Sequence, residues 1–412
     1  MADYRRNHYV PEWYQYRFIP EEQKDKKFFY LDLRPQAVSS NGHYFKRSAM
    51  LRWGPPRCFY QTDLYTTKFG SWESTEIEQE FFGKVDSRGL RAVEYFSTFE
   101  HPDVNPEAFQ DLLRYMSIQK LRTPKGLAFL RSITKTKEKN ETLFHLQELQ
   151  DMFCAIWSEC VWQIADANQS SVKFIISDHP VTVYNKACFP ASKWCGEIHD
   201  PDIRLSGTHT YFPLSANKIL ILTNMSWVRH PYGNPLKPRP NPRFFRQAMF
   251  NFLGIQTHRS MSDAEVNAIN FITKSRAYRY IAATNKDWLF PEVSLKSKMW
   301  NRFGDSFLLM PDPRSVSFST EVIIGYENSP ADIFDEYGRR PGHKDFGDKQ
   351  RGRKEWETFH AFQGEFARLF GAKRRGRSFE FSRLCDEEDN PDFHNYHLSL
   401  EQKFKKYRHG TN

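Results

Sequence analysis

The apolar period changes once along this chain, and that change restricts the fold more than any other feature. From about residue 76 to 166, apolar side chains recur three and four positions apart; from 172 to 224 they gather into short runs separated by Pro, Ser and Asn. The first pattern belongs to amphipathic helices and the second to strands. The expected fold class is therefore α+β: a helical middle (about 76–166) packed with a small mixed or antiparallel sheet. Residues 76–96 are read as helix with an interruption near Gly89. Asn105, Pro106 and Glu107 supply a cap, an N1 proline and an acid in the first turn of a helix. That helix is expected to break at Thr123-Pro124, and ETLFHLQELQDMFCAIWSECVWQIAD (141–166) is read as the long central core helix. Strands are expected in 27–34, in 57–67, in 172–185, and on both sides of a turn at 215–217. Ser262 and Glu265 form a capping box ahead of one more helix.

Two units follow from the change of texture near residue 290: an α+β domain over 1–290, and a basic C-terminal extension or small second domain over 291–412. Residues 339–377 hold 12 Lys and Arg against 5 Asp and Glu, and 229–246 carries Arg229, Lys237, Arg239, Arg243 and Arg246 with no acid. The whole chain has a net charge of +9, which favours encounter with polyanions and says nothing about fold. Nucleic acid is a candidate partner for both basic segments, beside the plainer reading of a mildly basic soluble enzyme.

Six cysteines at scattered spacings, with no Cys-x-x-Cys, exclude a secreted disulfide framework and a zinc site defined by spacing. The opening MADYRRNHYV lacks the apolar stretch of a secretory leader, and no run approaches the ~18 apolar residues of a spanning helix. A cytoplasmic protein with no membrane contact is expected. The chain also lacks a phosphate-loop lysine pattern, a paired-glycine dinucleotide turn, a His-Glu-x-x-His helix and a Gly-x-Ser-x-Gly elbow.

Seven short stretches, in order, carry a resemblance. They are Asn7-His8-Tyr9-Val10-Pro11, Asp63-Leu64-Tyr65-Thr66, Ile77-Glu78, Gln119-Lys120-Leu121-Arg122-Thr123-Pro124, Ile176-Ser177-Asp178-His179-Pro180, Phe212-Pro213-Leu214-Ser215 and Asn267-Ala268-Ile269-Asn270. With this order and spacing, over about residues 7–285, the chain resembles the domain of unknown function 4238 family, found mainly in bacteria. The resemblance implies candidate positions and no reaction.

Chemistry suggests a role for each of those positions, beside a plainer one. His8 titrates near pH ~6.5 and suits proton transfer or metal ligation; alternatively it ties a strand end to backbone. Asp178, at a strand end, is a candidate catalytic carboxylate or a turn former. Glu78, with Asp86 two turns on, could hold a divalent cation or form a solvated helix face. Gln119 and Arg122, three apart, share a helix side and could grip phosphate oxygens, or Arg122 could pair with Glu78 or Asp178. Asn270, one turn from Asn267, is a candidate for substrate or for loop backbone. His179 is read as a turn residue.

Two functions are weighed. In the first, a metal-dependent phosphodiesterase or nuclease, possible cofactors being Mg or Mn, has His8, Glu78 and Asp178 as catalytic residues and Glu78 and Asp178 as candidate metal ligands. Gln119, Arg122 and Asn270 then bind substrate, in a setting of bacterial defence or toxicity. In the second, a non-catalytic module binds nucleic acid or protein, and the same residues form a structural polar network. A hydrolase of small phosphorylated molecules is a third reading that ignores the basic segments.

Overall fold

A computed structural model describes residues 5–40, 43–196, 199–239, 250–317, 321–326, 329–335, 339–372, 374–379 and 391–405. The fold is α+β, with sheets of two to five strands and helices forming the larger share. The largest sheet runs Thr182–Asn185, Thr208–Pro213, Lys218–Asn224, Cys160–Asp166, Gln256–Ser260; only its last pair is parallel. A four-stranded antiparallel sheet runs Ile176–Ser177, Tyr280–Ala283, Phe28–Asp32, Met50–Trp53. The Arg6–His8 strand pairs separately with Tyr60–Thr62.

The helix Pro106–Arg122 runs through the main core and is buried along most of its length. Asn105 caps it, its side chain accepting from the Ala108 amide, and Pro106 takes the first helical position, where the missing N–H is not needed. Thr123 then ends this helix and caps the next, Pro124–Thr134, by accepting from the Gly126 amide. Gly89 does not interrupt its helix, Gly83–Ser97. It lies inside it at the contact with Pro106–Arg122, where a Cβ would come within 2.3 Å of the Tyr115 ring. The irregularity comes earlier, in a widened turn over Ile77–Phe82.

The expected core helix over 141–166 is replaced by two short helices, Lys139–Glu148 and Cys154–Ser158, and by the strand Cys160–Asp166. That strand is central: Trp162 and Ile164 enter the main core, while Val161 and Ala165 enter two other clusters on its opposite face. Burial on both faces removes the polar alternation, so a short apolar run reads equally well as helix.

Beyond residue 290, Phe303, Leu308 and Leu309 pack with Ile219 and Ile221 of the large sheet. The long helix Lys349–Phe370 is capped by Asp348 and buries Phe359, Phe362 and Phe366 against Val161, Trp227 and Val228. The helix Pro391–Phe404 lies so close to it that a Cβ on Gly364 would come within 2.4 Å of the His397 carbonyl. Among the described residues, no helix is long and apolar enough to cross a membrane.

Candidate functional site

The junction at Thr123-Pro124 turns one short motif toward two different places. Gln119 and Arg122, three positions apart, face one side of the helix; Lys120 and Thr123, also three apart, face the other.

On the first side, Gln119 accepts from Arg122 (2.8 Å to Nε) and donates to the Tyr9 carbonyl (2.8 Å). Arg122, fully buried, lies 2.8 Å from Asp86, and its carbonyl accepts from the Tyr65 hydroxyl. The Asn7 side chain accepts from the Tyr65 amide. Glu78 stands beside this cluster: burial pushes its carboxyl up to about 7, against Arg122, which favours its charge, and with Asp86, which opposes it. Burial likewise raises Asp86. The sequence candidates Glu78, Gln119 and Arg122 thus come together.

His8 points the other way from Asn7 and Tyr9, as strand alternation requires. Its Nε2 lies 3.5 Å from Glu12, and burial, opposed by Glu12, lowers its pKa. Asp178 is 1% exposed and both of its oxygens are engaged: Oδ1 accepts from the Tyr278 amide (2.8 Å), Oδ2 from those of Arg279 (2.6 Å) and Tyr280 (2.8 Å). Burial pushes this carboxyl up to about 6, while the three amides favour the ionised form. Asn270 is occupied with backbone, accepting from Ile175 and donating to the Lys173 carbonyl. Among the described residues, His8, Glu78 and Asp178 share no hydrogen-bond or ion-pair partner, and no group of three or more His, Cys, Asp or Glu is placed to hold a metal ion.

On the second side lies a cleft of about 740 Å³, whose polar floor the residue-by-residue reading missed. Asp200 is at its centre. One oxygen receives Lys120 and the His179 ring (3.0 Å); the other receives Lys125 (2.5 Å). Lys125 also donates to the Arg276 carbonyl (2.8 Å). His179 Nδ1 lies 2.8 Å from the Thr123 hydroxyl. Thr123 Oγ1 also accepts from the Gly126 amide, and His179 Nε2 lies 3.2 Å from Lys120 Nζ, so the ring joins Thr123 on one edge to Asp200 and Lys120 on the other. Fully buried and committed as a cap, Thr123 is not a nucleophile despite this relay-like line.

Two ammonium groups thus share one carboxylate under almost complete burial. Burial alone would raise Asp200; Lys120 and Lys125 overcome it and hold the carboxyl well below its usual range. Burial lowers Lys120, against the pull of Asp200. His179 is kept neutral, its pKa lowered to about 3 by burial and then by Lys120. An unfolded histidine takes its proton near pH ~6.5. Between that value and about 3 the unfolded chain binds the extra proton, so this group costs stability as pH falls, roughly 2 kcal/mol at pH 5. His179→Gln is expected to be less stable at pH 7.5 yet to lose about 2 kcal/mol less than the parent on going to pH 5, by urea midpoints. Parallel pH slopes would show that His179 titrates as it does unfolded.

The signal for this floor was present in part. Lys120 and Thr123 have the same spacing that singled out Gln119 and Arg122, and His179 adjoins Asp178. Asp200 sits in a loop with no pattern around it. The basic segments are less open than composition implies. Arg229 and Arg239 are buried, the latter against Glu159; Arg243 and Arg246 lie outside the described residues. In 339–377, Arg339 pairs with Asp335, Arg351 with Glu355, Arg353 with Glu357 and Arg375 with Glu265.

No curated protein and no solved structure matches the chain. The model of one family, described as a protein of unknown function (DUF4238), matches residues 6–287, the part that contains both sides of the 119–124 junction. Because the match takes in well over half of the residues and every stretch that carried the resemblance, the chain belongs to the DUF4238 family.

Proposed function

We propose that the cleft binds a small phosphate-bearing ligand of the nucleotide class. The observation that carries this reading is the pair Lys120 and Lys125 on the single carboxylate of Asp200, a buried excess of positive charge at the bottom of an accessible hollow. Each ammonium has three donors. Lys125 spends two, on Asp200 and the Arg276 carbonyl, which leaves one for a ligand oxygen. Lys193 adds positive charge at the rim, where Arg204 is paired with Asp202. Phe129, Phe153 and Trp194 supply aromatic wall, Trp194 with 42% of its surface exposed, which suits a stacked base. The volume is that of a small-molecule site.

A second reading is general acid–base chemistry in phosphodiester hydrolysis, with or without a divalent cation. It is favoured by the Glu78 carboxyl, raised to about 7 beside Arg122, because a group that titrates near neutrality can both take and give a proton.

Calorimetric titration of the full chain with inorganic phosphate, nucleoside monophosphates and a short single-stranded RNA tests the first reading. Nucleotide binding that weakens with salt is expected, with about tenfold loss in Trp194→Ala or Lys193→Ala, both exposed positions. Absence of binding, or affinity unchanged in both variants, refutes it. Chromatography of the same ligands after incubation with Mg²⁺, Mn²⁺ or EDTA tests the second; Glu78→Gln should abolish any turnover and leave binding intact.

A further inference from the structure

The scattered cysteines of the sequence do not stay scattered. Cys188 and Cys195, seven positions apart, are brought together by successive tight turns: the Cys188 amide donates to the Asn185 carbonyl, Ser192 to Phe189, and Cys195 to Ser192. Both are buried in a small apolar cluster with Leu205, and both are free thiols. Cys195 also lines the lysine cleft.

The third member of the group is Arg276, the last residue of the helix Asp263–Arg276 and 3% exposed. Its Nη1 lies 3.2 Å from Cys195 Sγ, its Nη2 donates to the Cys188 carbonyl, and its guanidinium stacks over Trp300 at 4.7 Å. Among the described residues, no carboxylate lies within ion-pair distance of it. A buried guanidinium without a counter-charge is costly. Among the described residues, the group in contact that can supply the charge is the Cys195 sulfur, which also lies 3.7 Å from the Cys188 carbonyl; the neighbouring thiol and the guanidinium favour its ionised form against burial.

We propose that Cys195 is a thiolate held by Arg276, and that with Cys188 it forms a dithiol in the cleft wall that hydroperoxides oxidise to a disulfide. The Cys195 sulfur attacks one oxygen of the peroxide and the O–O bond breaks. That sulfur loses two electrons and becomes a sulfenic acid, and the released hydroxide takes up a proton. The Cys188 sulfur then attacks the sulfenyl sulfur, the S–O bond breaks, and the hydroxyl leaves as water with the Cys188 thiol proton. Two thiols and one hydrogen peroxide give one disulfide and two waters. The crosslink would close a loop in the wall of the hollow, whatever ligand occupies it.

The test is stepwise oxidation of the reduced full-length protein with hydrogen peroxide, quenched in denaturant with N-ethylmaleimide and read by peptide mass spectrometry. The Cys188–Cys195 crosslink is expected at least tenfold faster than loss of labelling at Cys58, Cys154 or Cys160. Cys188→Ser should stop at the sulfenic acid, trapped by dimedone on Cys195 alone. Arg276→Met should slow oxidation of Cys195 at least tenfold, with Arg276→Lys between; if Arg276→Met does not fold, Cys188→Ser, which keeps the guanidinium, decides. Equal oxidation of all the cysteines, or over-oxidation of Cys195 with Cys188 still labelled, overturns the proposal.

Discussion

Asp200→Asn is expected to lower the unfolding free energy at pH 7 by about 3–5 kcal/mol, the usual cost of removing one partner from a buried ion pair. The carboxylate side chain is 7% exposed and serves two ammonium groups and the His179 ring at once. An amide of the same size leaves Lys120 and Lys125 facing each other with no counter-charge. The variant relieves this by deprotonating Lys120, which burial and Lys125 already lower, so that this lysine titrates below the unfolded value of ~10.4. Over that interval the unfolded chain binds more protons, and stability of the variant therefore rises with pH from 7 toward 10. Urea midpoints at pH 7 and 9.5 read both effects. A variant as stable as its parent, or one that gains nothing at the higher pH, would mean that the three groups do not interact as drawn. Replacing Lys120, Lys125 and Asp200 together by Met, Met and Leu should recover most of the loss, since apolar residues of similar volume commonly substitute for a buried charge cluster. Such a protein would keep its fold and lose the nucleotide binding proposed for the cleft.

The contrast between what was legible in the sequence and what was not lies in the range of the forces. Caps and turns are local, and they were read correctly: Asn105 and Pro106, Thr123 and Pro124, and the Ser262–Glu265 box all stand where spacing put them. The 160–166 segment failed because its environment is tertiary. Nothing local distinguishes a strand covered on both faces from a core helix. The site was legible by halves for the same reason. Spacing three apart placed Gln119 and Arg122 on one side, and they do meet Asp86 and Tyr9 there. The same spacing at Lys120 and Thr123 points to a second side, but its partners, His179 and Asp200, come from 59 and 80 positions away. No periodicity announces such a meeting. The basic count of 339–377 likewise could not reveal that Arg351 and Arg353 face glutamates one turn on and that Arg375 meets Glu265.

Asp178→Ala separates an architectural carboxylate from a reacting one. Ser177 pairs with Ile281 in the four-stranded sheet, and Asp178 extends that pairing by taking the amides of Tyr278, Arg279 and Tyr280, where the chain leaves the Asp263–Arg276 helix and enters the next strand. Truncation orphans three amides aimed at one point. Hydrogen bonds to a charged group are worth about 1.5–3 kcal/mol each, and water entering the vacated space recovers part of that, so a loss of about 3–5 kcal/mol is expected. Asp178→Asn should not rescue it, because the amide turns a donor toward donors. Nucleotide affinity of the folded fraction should stay within twofold, since the lysine floor hangs on Asp200. The opposite pattern, an unchanged urea midpoint with binding or turnover abolished, would return Asp178 to chemistry and require its oxygens to release those amides when ligand arrives. That is unfavourable for the physical reason already visible in the contacts: a carboxylate that accepts three backbone N–H groups in a closed interior has no lone pair directed at solvent, and breaking even one of them to reach a substrate would cost more than a single new contact returns.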